Sequence, residues 1–261
     1  MTEAAAPIRP VHRVAVMGTV VTFDVRTPAS APVVKAAIDE AEKWLHWVDG
    51  TFSTYQHGSE VNRFDRGELA IGACCAEMRA IVALCHRYNE RTGGFFDAWV
   101  AARFDPNGVV KGWSIDRASD ILVAHGLIDH AIDGGGDVRL RGDPGNGGLW
   151  SVGVRHPWRR DAFCAALSVG PGALATSGTY ERGLHVLDPF TGRPAAALAA
   201  VTVFGPDLTS ADAYATAALA MGLAAPRWLE GLDGYEAQVI TADGGASATA
   251  GFGRLELGLP R

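Results

Sequence analysis

Residues 131–141 read AIDGGGDVRLR, and this stretch indicates the type of sheet in the fold. Apolar and polar residues alternate on both sides of three glycines, the pattern of two strands joined by a tight turn. The glycines lack the GxGxxG spacing of a dinucleotide-binding loop, and no helical pattern follows them. A tight turn is favoured, with close approach of a ligand to the backbone as the alternative. Residues 13–26, RVAVMGTVVTFDVR, alternate in the same way around Gly18 and predict a second strand pair.

Helical and strand patterns are mixed along the rest of the chain. Apolar residues at helical spacing predict four helices, which are Ala31–Asp49 (ended by Gly50), Ala76–Thr92, one capped by Ser114 and running to His125, and one capped by Ser210 and ending at Gly222. Alternating or apolar runs predict further strands near Trp150–Arg155, Phe163–Val169, Ala173–Thr176, Leu198–Gly205, Tyr235–Thr241 and Phe252–Leu257. Helices mixed with hairpins indicate an α+β fold with a mainly antiparallel sheet.

The composition argues against several classes of protein. The chain has 261 residues, 48% of them hydrophobic and 20% charged, which is enough for a full core in one large or two intimate domains. Its formal net charge of −6 argues against a general nucleic-acid-binding surface, because phosphate backbones require a basic one. No apolar run approaches the roughly 20 residues of a membrane helix. The four cysteines lack zinc-site spacing and are expected to be free thiols.

The N-terminal segment shows little pattern. Residues 1–12 contain two prolines and are predicted to form a flexible arm, and residues 13–261 are predicted to form a single domain. The first residues lack the basic-then-apolar pattern of a signal peptide and a cysteine for lipid attachment. We therefore expect a cytoplasmic protein without membrane insertion.

Two oxygen-bearing side chains in the last long helix are candidate ligands of a hard cation. Asp212 and Thr216 are four residues apart, so they project from the same face of a helix. A carboxylate and a hydroxyl at a helix start suit Mg²⁺. The alternative is that Asp212 only interacts with the helix dipole while Thr216 packs.

A glycine-containing stretch, FDPNGVVKGW at residues 104–113, is a candidate phosphate-binding loop. Its glycines allow close approach of the backbone, and Lys111 can contact a phosphate. The GxxxxGK[ST] spacing of a P-loop is absent, so a turn with a solvated lysine is the alternative.

One histidine and several loop aromatics are further candidates. His185 lies in the turn-rich stretch HVLDPFTGR and can act as a general base, although a loop histidine is more often a surface residue. Four aromatic residues can offer ring faces to a flat ligand or close the edge of the core; these are Tyr55, Phe95, Phe96 and Trp99.

Taken together and in order, these stretches resemble the ApbE family of flavin transferases, the FAD:protein FMN transferases. The resemblance runs from about Val16 to about Gly222 and is carried by eight stretches. They are MGTVVTFDV (17–25), FSTYQHGSEVNRFDRG (52–67), TGGFFDAW (92–99), FDPNGVVKGWSIDRASDIL (104–122), IDGGGDVRLRG (132–142), ATSGTYERG (175–183), HVLDPFTGRP (185–194) and SADAYATAALAMG (210–222). Eight ordered motifs are far more specific than any single one.

The resemblance implies an ApbE-like (T-fold-like) architecture for residues 13–261 and a defined reaction. FAD is split at its pyrophosphate, its FMN part is joined to a Thr or Ser hydroxyl of a target protein through a phosphoester bond, and AMP leaves. The reaction requires Mg²⁺. The implied metal ligands are the side chains of Asp212 and Thr216 and the backbone oxygens of Gly108 and Ala215.

The resemblance also implies further roles for individual residues. His185 matches the histidine that deprotonates the acceptor hydroxyl, and Asp212 is the second catalytic residue. The implied FAD contacts are Met17, Tyr55, Phe95, Phe96, Asp97, Asp105, Lys111 and Val186.

One departure from the family leaves other functions open. Only about five residues separate the FDAW and FDPNG motifs, between Trp99 and Asp105, where the family usually carries a longer insert. A Mg²⁺-dependent FAD pyrophosphatase, which yields FMN and AMP, and a non-catalytic flavin-binding protein are the alternatives. The expected partner of a transferase is an acceptor flavoprotein, either cytoplasmic or with a domain that faces the cytoplasm.

Overall fold

An antiparallel sheet of eight strands forms the centre of the computed structural model, which describes residues 11–145, 147–179, 183 and 185–257. The strands in this part of the chain are β1 (Val11–Val16), β2 (Thr19–Val25), β3 (His130–Gly134), β4 (Asp137–Arg141), β5 (Trp150–His156), β6 (Arg159–Val169), β7 (Gly172–Gly178), β8 (Leu198–Gly205), β9 (Glu236–Thr241) and β10 (Ala246–Ala248). The large sheet has the order β1-β2-β3-β4-β7-β8-β9-β10, and β5 and β6 form a separate two-stranded sheet. The predicted α+β class with a mainly antiparallel sheet is confirmed.

The helices whose bounds lie in the described part of the chain are inserted at two places in the sheet. They are α1 (Ala31–Phe52), α2 (Glu60–Asp65), α3 (Ala76–Arg91), α4 (Asn107–Ala124), α5 (Leu208–Met221) and α6 (Ala225–Leu229). The first four connect β2 to β3, and the last two connect β8 to β9. Within the described ranges, no helix combines the length and the apolar character that crossing a bilayer requires.

Residues on the two faces of the sheet belong to different hydrophobic clusters. Ala173 and Ala175 of β7 belong to the larger core, which the helices complete. Leu174, between them, points to the opposite face and packs with Trp150 and Leu167 of the β5–β6 hairpin. This alternation follows from the two-residue period of a strand.

Two tight turns lie side by side at one end of the sheet. Gly135 and Gly136 have φ angles of +73° and +100° and join β3 to β4, which confirms the tight turn predicted there. Met17 (φ +53°) and Gly18 (φ +69°) join β1 to β2 in the same manner. A Cβ on Gly135 would lie 2.6 Å from the hydroxyl of Thr19, so the two turns are in contact.

Helices α4 and α5 meet backbone to backbone at Gly112. A Cβ at this position would lie 2.5 Å from the carbonyl oxygen of Leu208, closer than real Cβ contacts allow. Asp116, one turn later in α4, accepts hydrogen bonds from the backbone N–H groups of Leu208 (3.1 Å) and Thr209 (2.8 Å). Asp116 thereby satisfies donors in the first turn of α5 that have no partner within that helix. These contacts fix the N-terminal halves of the two helices against each other.

The start of α4 differs from the prediction. The helix begins at Asn107, not after Ser114, so Lys111 lies on a helix and not in a flexible glycine loop. Asp105 Oδ1 accepts a hydrogen bond from the Asn107 N–H (3.0 Å), which supports the earlier start. Ser114 is buried inside the helix, where its hydroxyl donates to the carbonyl oxygen of Lys111 (2.8 Å).

Helix α5 also begins earlier than its sequence pattern predicts. The N-cap is Asp207, whose Oδ1 accepts from the Ser210 N–H at 2.7 Å, so the predicted cap Ser210 is the third helical residue. Its hydroxyl lies 2.9 Å from the Tyr88 hydroxyl. Asp212 is therefore the fifth residue of the helix.

Three other boundaries are corrected. Helix α1 continues through Gly50 to Phe52, because the buried stripe of Leu45, Val48 and Phe52 outweighs the roughly 1 kcal/mol cost of one helical glycine. The predicted strand over 252–257 is instead a 3₁₀ turn at Phe252–Arg254, and β10 closes the sheet. Strand β1 begins at Val11, so Val11 and His12 do not belong to the predicted arm of residues 1–12, whose remainder lies outside the described residues.

Candidate active site

Three charged side chains from three elements meet beside the contact between α4 and α5. The Lys111 ammonium of α4 forms an ion pair with Asp137 Oδ2, at the start of β4, and lies 3.8 Å from Oδ2 of Asp212 in α5. The side chains of Asp137 and Asp212 are only 3% and 5% exposed, whereas that of Lys111 is 34% exposed. The cluster is thus acidic in its interior and reaches solvent through the lysine.

The position of Asp137 depends on the glycine turn that precedes it. The turn at Gly135–Gly136 places Asp137 as the first residue of β4, paired with Gly134. Its Oδ1 accepts a hydrogen bond from the backbone N–H of Thr176 in β7, at 2.9 Å. Charge-assisted hydrogen bonds of this kind fix a carboxylate firmly.

The GGGD motif by itself predicts a turn and does not assign Asp137 to the site. A signal was present, since Asp137, Arg139 and Arg141 alternate with Val138 and Leu140 along β4. Strand β4 lies between β3 and β7, so the charged side chains on its buried face need partners of opposite charge. A group of such partners marks a candidate site.

Thr216 lies one helical turn after Asp212 on the same face of α5. Its hydroxyl is 3.2 Å from the Ser177 hydroxyl of β7. A Cβ at Gly108, in the first turn of α4, would lie 3.4 Å from that same Thr216 oxygen. Every residue of α5 other than Thr216 and Met221 is buried, and Ala215 is among them. The fold therefore brings together four sequence-predicted residues, namely Gly108, Lys111, Asp212 and Thr216.

The side chains near Thr216 suit a hard cation better than a soft one. A carboxylate, a hydroxyl and adjacent backbone oxygens form the donor set that Mg²⁺ prefers. Among the described residues, no three His, Cys, Asp or Glu side chains cluster as they do in a zinc or iron centre. The residues present therefore fit a magnesium site that uses Asp212 as its anionic ligand.

Aromatic residues form the wall next to Gly108. Phe96 is buried, and its ring would lie 3.0 Å from a Cβ at Gly108. Its N–H donates to the Thr92 hydroxyl at 2.9 Å, which fixes the loop after α3. Phe95 is half-buried and meets the ring of Phe190 edge to face, with centroids 4.9 Å apart.

The Phe95–Phe190 contact joins this wall to the loop that carries His185. In that loop, Asp188 accepts hydrogen bonds from the Phe190 N–H (2.9 Å) and the Thr191 hydroxyl (2.8 Å), and these bonds lower the pKa of Asp188. Val186 is half-buried, and its carbonyl oxygen accepts from the Ala195 N–H at 2.9 Å. His185 is exposed, with Nδ1 3.1 Å from the carbonyl oxygen of Gly183.

The other sequence-predicted contacts lie in turns and at element ends. Met17 forms the β1–β2 turn, where its sulfur lies 3.7 Å from the Ser114 hydroxyl oxygen. Asp97 Oδ1 accepts from the Trp99 N–H at 2.8 Å, while Asp105 supports the start of α4. Tyr55 is 90% exposed. The roles of these four residues as flavin contacts remain predictions.

Burial changes the acid–base behaviour of groups behind the cluster. Desolvation raises the pKa of Asp116 above its usual range, although Thr209 and Arg139 oppose that change. Burial likewise raises the pKa of Tyr88 and raises that of Tyr235 to about 12. Both tyrosines therefore stay protonated at neutral pH and support α5 as neutral groups.

Comparison with known sequences gives a consistent result. The sequence profile of the ApbE family matches residues 17–104 and 100–239. The FAD:protein FMN transferase of Vibrio cholerae is 33% identical over 129 residues, which are 45% of this chain and 38% of that protein. The protein of the same name from Rhodobacter capsulatus is 36% identical over 131 residues, 47% of this chain and 25% of that protein. The chain thus matches less than half the length of these relatives.

Solved structures show the same fold. The ApbE protein of Thermotoga maritima superposes with a TM-score of 0.84 at 23% identity, over 95% of this chain and 99% of that one. The flavin transferase ApbE of Vibrio cholerae gives a TM-score of 0.79 at 23% identity, over 94% and 100% of the two chains. Since the family profile also spans most of the sequence, the chain belongs to the ApbE family.

Proposed function

We propose that this chain transfers the FMN part of FAD to a Thr or Ser hydroxyl of a target protein, with Mg²⁺ held at Asp212 and Thr216. The main support is the geometry of α5 against α4. Asp212 and Thr216 are one turn apart, and Gly108 and Lys111 of α4 lie directly opposite. Family membership and the names of the relatives point to the same reaction.

The proposed metal ligands are the side chains of Asp212 and Thr216, completed by the backbone oxygens of Gly108 and Ala215. When bound, Mg²⁺ neutralises charge on a pyrophosphate and thereby favours cleavage of its P–O bond. Asp212 supplies the negative charge that retains the ion, and the Lys111 ammonium binds phosphate oxygens by charge.

The acceptor hydroxyl requires a base, since an alcohol is a weak nucleophile near neutral pH. His185 is exposed in a loop that docks against the Phe95 wall, so it is accessible to a second protein. In the proposed step His185 takes the hydroxyl proton, the oxygen forms a new bond to the FMN phosphorus, and AMP leaves with the electrons of the broken P–O bond.

The flavin is proposed to lie along the aromatic wall. Phe95 and Phe96 provide apolar ring surface beside Gly108, and Met17, Tyr55 and Val186 are the further apolar contacts inferred from the family resemblance. Asp97 and Asp105 are proposed to bind polar groups of FAD.

The cytoplasmic location remains a prediction from the sequence.

The test uses the purified chain with FAD, MgCl₂ and candidate acceptor domains that display a Thr or Ser. Transfer predicts flavin fluorescence that remains on the acceptor after denaturation, with one AMP released per flavin. Release of free FMN and AMP without any acceptor indicates a pyrophosphatase instead. FAD that binds but stays intact, with and without MgCl₂, overturns both enzymatic functions.

A further inference from the structure

The cluster of Lys111, Asp137 and Asp212 contains more charge than the proposed metal site requires. The ammonium joins two carboxylates from different elements, β4 and α5, and both carboxylates are almost fully buried. Asp137 is not among the metal ligands that the family resemblance implies. Asp137 must therefore have a role other than direct metal binding.

We propose that the Lys111 ammonium is the internal counter-ion of the metal-free protein, and that a divalent cation binding at Asp212 displaces it toward the phosphates of the substrate. This inference rests on the proposed metal site and deepens it. Asp137 is then a positioning residue, which acts by holding the ammonium next to the cation site.

Electrostatics favour an exchange. Two carboxylates withdrawn from water need a positive partner, because burying an uncompensated charge is expensive. A single ammonium supplies one positive charge, whereas a divalent cation supplies two to the same pair. Cation and ammonium repel each other at this short range, so both cannot stay between the two carboxylates.

The structure also indicates which group moves. Asp137 is fixed by the Thr176 N–H and by its pairing with Gly134 across the turn, and Asp212 lies in the buried helix α5. Lys111 is the most exposed of the three, and its ammonium is carried on a flexible four-carbon chain. The lysine side chain can therefore swing outward while both carboxylates remain in place.

The exchange links metal binding to anion binding. A displaced ammonium beside a newly bound cation creates a strongly positive pocket for a pyrophosphate. By thermodynamic reciprocity, Mg²⁺ and pyrophosphate each increase the affinity for the other. In the metal-free protein the ammonium remains occupied by carboxylates, so anions bind weakly.

The chain has three lysines, Lys35, Lys43 and Lys111, which permits a direct test without FAD. The protein is labelled with ¹³Cε-lysine, and its three NMR signals are assigned with single Lys→Arg variants. Titration with MgCl₂ is expected to shift the Lys111 signal with the same midpoint as calorimetric Mg²⁺ binding. The signals of Lys35 and Lys43 are expected to stay in place.

Variants supply the second measurement. Lys111→Met removes the competing ammonium and is expected to bind Mg²⁺ about tenfold more tightly, with Lys43→Met as the matched control that leaves affinity unchanged. Asp137→Asn removes one of the two buried negative charges that attract the cation, and it is expected to weaken Mg²⁺ binding about tenfold, the lower end of effects seen for residues behind metal ligands. If Lys111→Met fails to fold, Lys111→Gln removes the same charge with a polar side chain and is expected to show the same gain in Mg²⁺ affinity.

Two results overturn the exchange. The first is Mg²⁺ binding with a stationary Lys111 signal and wild-type affinity in Lys111→Met, which leaves the metal site in place. The second is absence of Mg²⁺ binding in both wild type and Lys111→Met. If the ammonium competes with the cation, its removal must make Mg²⁺ binding detectable in the variant. FMN transfer that still requires MgCl₂ shows that the proposed function stands without the exchange.

Discussion

At the scale of single residues, we expect Asp212→Asn to slow FMN transfer by about 10²- to 10³-fold, the range for loss of one electrostatic contact to a transition state. The amide keeps the shape of the side chain but removes the charge that retains the cation. The measurement is AMP release at increasing MgCl₂ concentrations. Asp120→Asn, on the exposed side of α4, is the control and is expected to keep the wild-type rate. A wild-type rate in Asp212→Asn at low MgCl₂ contradicts the metal assignment.

His185→Gln tests the proposed base separately from the metal. We expect transfer to the acceptor to slow by about 10²- to 10⁴-fold, the usual contribution of general base catalysis. FAD affinity is expected to change little, because the imidazole is exposed and not part of the wall. Single-turnover transfer and equilibrium flavin binding are measured side by side, with exposed His57→Gln as control. Unchanged transfer would assign the base to another group.

Asp137 shows why part of the cluster cannot be predicted from local sequence spacing. The shared helix face of Asp212 and Thr216 could be predicted because their spacing along one helix is local information. The role of Asp137 depends on Lys111, 26 positions earlier, and on Thr176, 39 positions later. Such contacts are created by strand order and helix docking, which local spacing does not reveal.

At the scale of elements, the close contact of α4 and α5 depends on a single missing side chain. Gly112→Ala places a methyl group 2.5 Å from the Leu208 carbonyl oxygen, so the helices must separate. We expect this variant to lose about 1–3 kcal/mol of unfolding free energy, as overpacked sites do. We also expect it to lose metal affinity, because Gly108 of α4 then moves away from Thr216 of α5. Urea unfolding and calorimetry measure the two effects.

The matched control is Gly50→Ala in α1. Gly50 is also inside a helix, but a Cβ there has no neighbour within 4 Å. This variant is expected to gain up to about 1 kcal/mol from helix propensity. If both alanine variants were equally stable, the close contact at Gly112 would be insignificant for the fold.

The first residues of α4 and α5 are predicted less accurately from the sequence than the helices themselves. Ser114 and Ser210 each precede an apolar run and have the chemistry of an N-cap, yet both are buried inside helices. The true starts are supported by Asp105 and Asp207, which lie nine residues before Ser114 and three residues before Ser210. Serine tolerates these buried positions because its hydroxyl finds a partner, the Lys111 carbonyl in one case and Tyr88 in the other.

At the scale of the whole molecule, the hairpins with glycine turns were sufficient to predict the fold class but not the order of strands. β4 pairs with β7, and the β5–β6 hairpin between them in sequence leaves the sheet to cover its second face. This arrangement depends on Leu140 and Leu174 facing away from the helices, which becomes visible only once the strands are aligned. The same alignment turns Asp137 toward Lys111.

Stability of the whole molecule is expected to fall on acidification because of one buried imidazole. His130 is fully buried, with Nε2 2.7 Å from the Ser119 hydroxyl and Nδ1 2.7 Å from the Leu127 carbonyl oxygen, and burial lowers its pKa to about 4. The unfolded chain binds a proton at this group below about pH 6.5, whereas the folded chain does so only near pH 4. Unfolding free energy therefore decreases as the pH falls through this window, by about 3 kcal/mol in total. Urea unfolding between pH 7 and 4 measures the slope, which His130→Gln is expected to flatten and the exposed-site control His46→Gln to leave unchanged. An identical slope in wild type and His130→Gln would show that other groups cause the acid sensitivity.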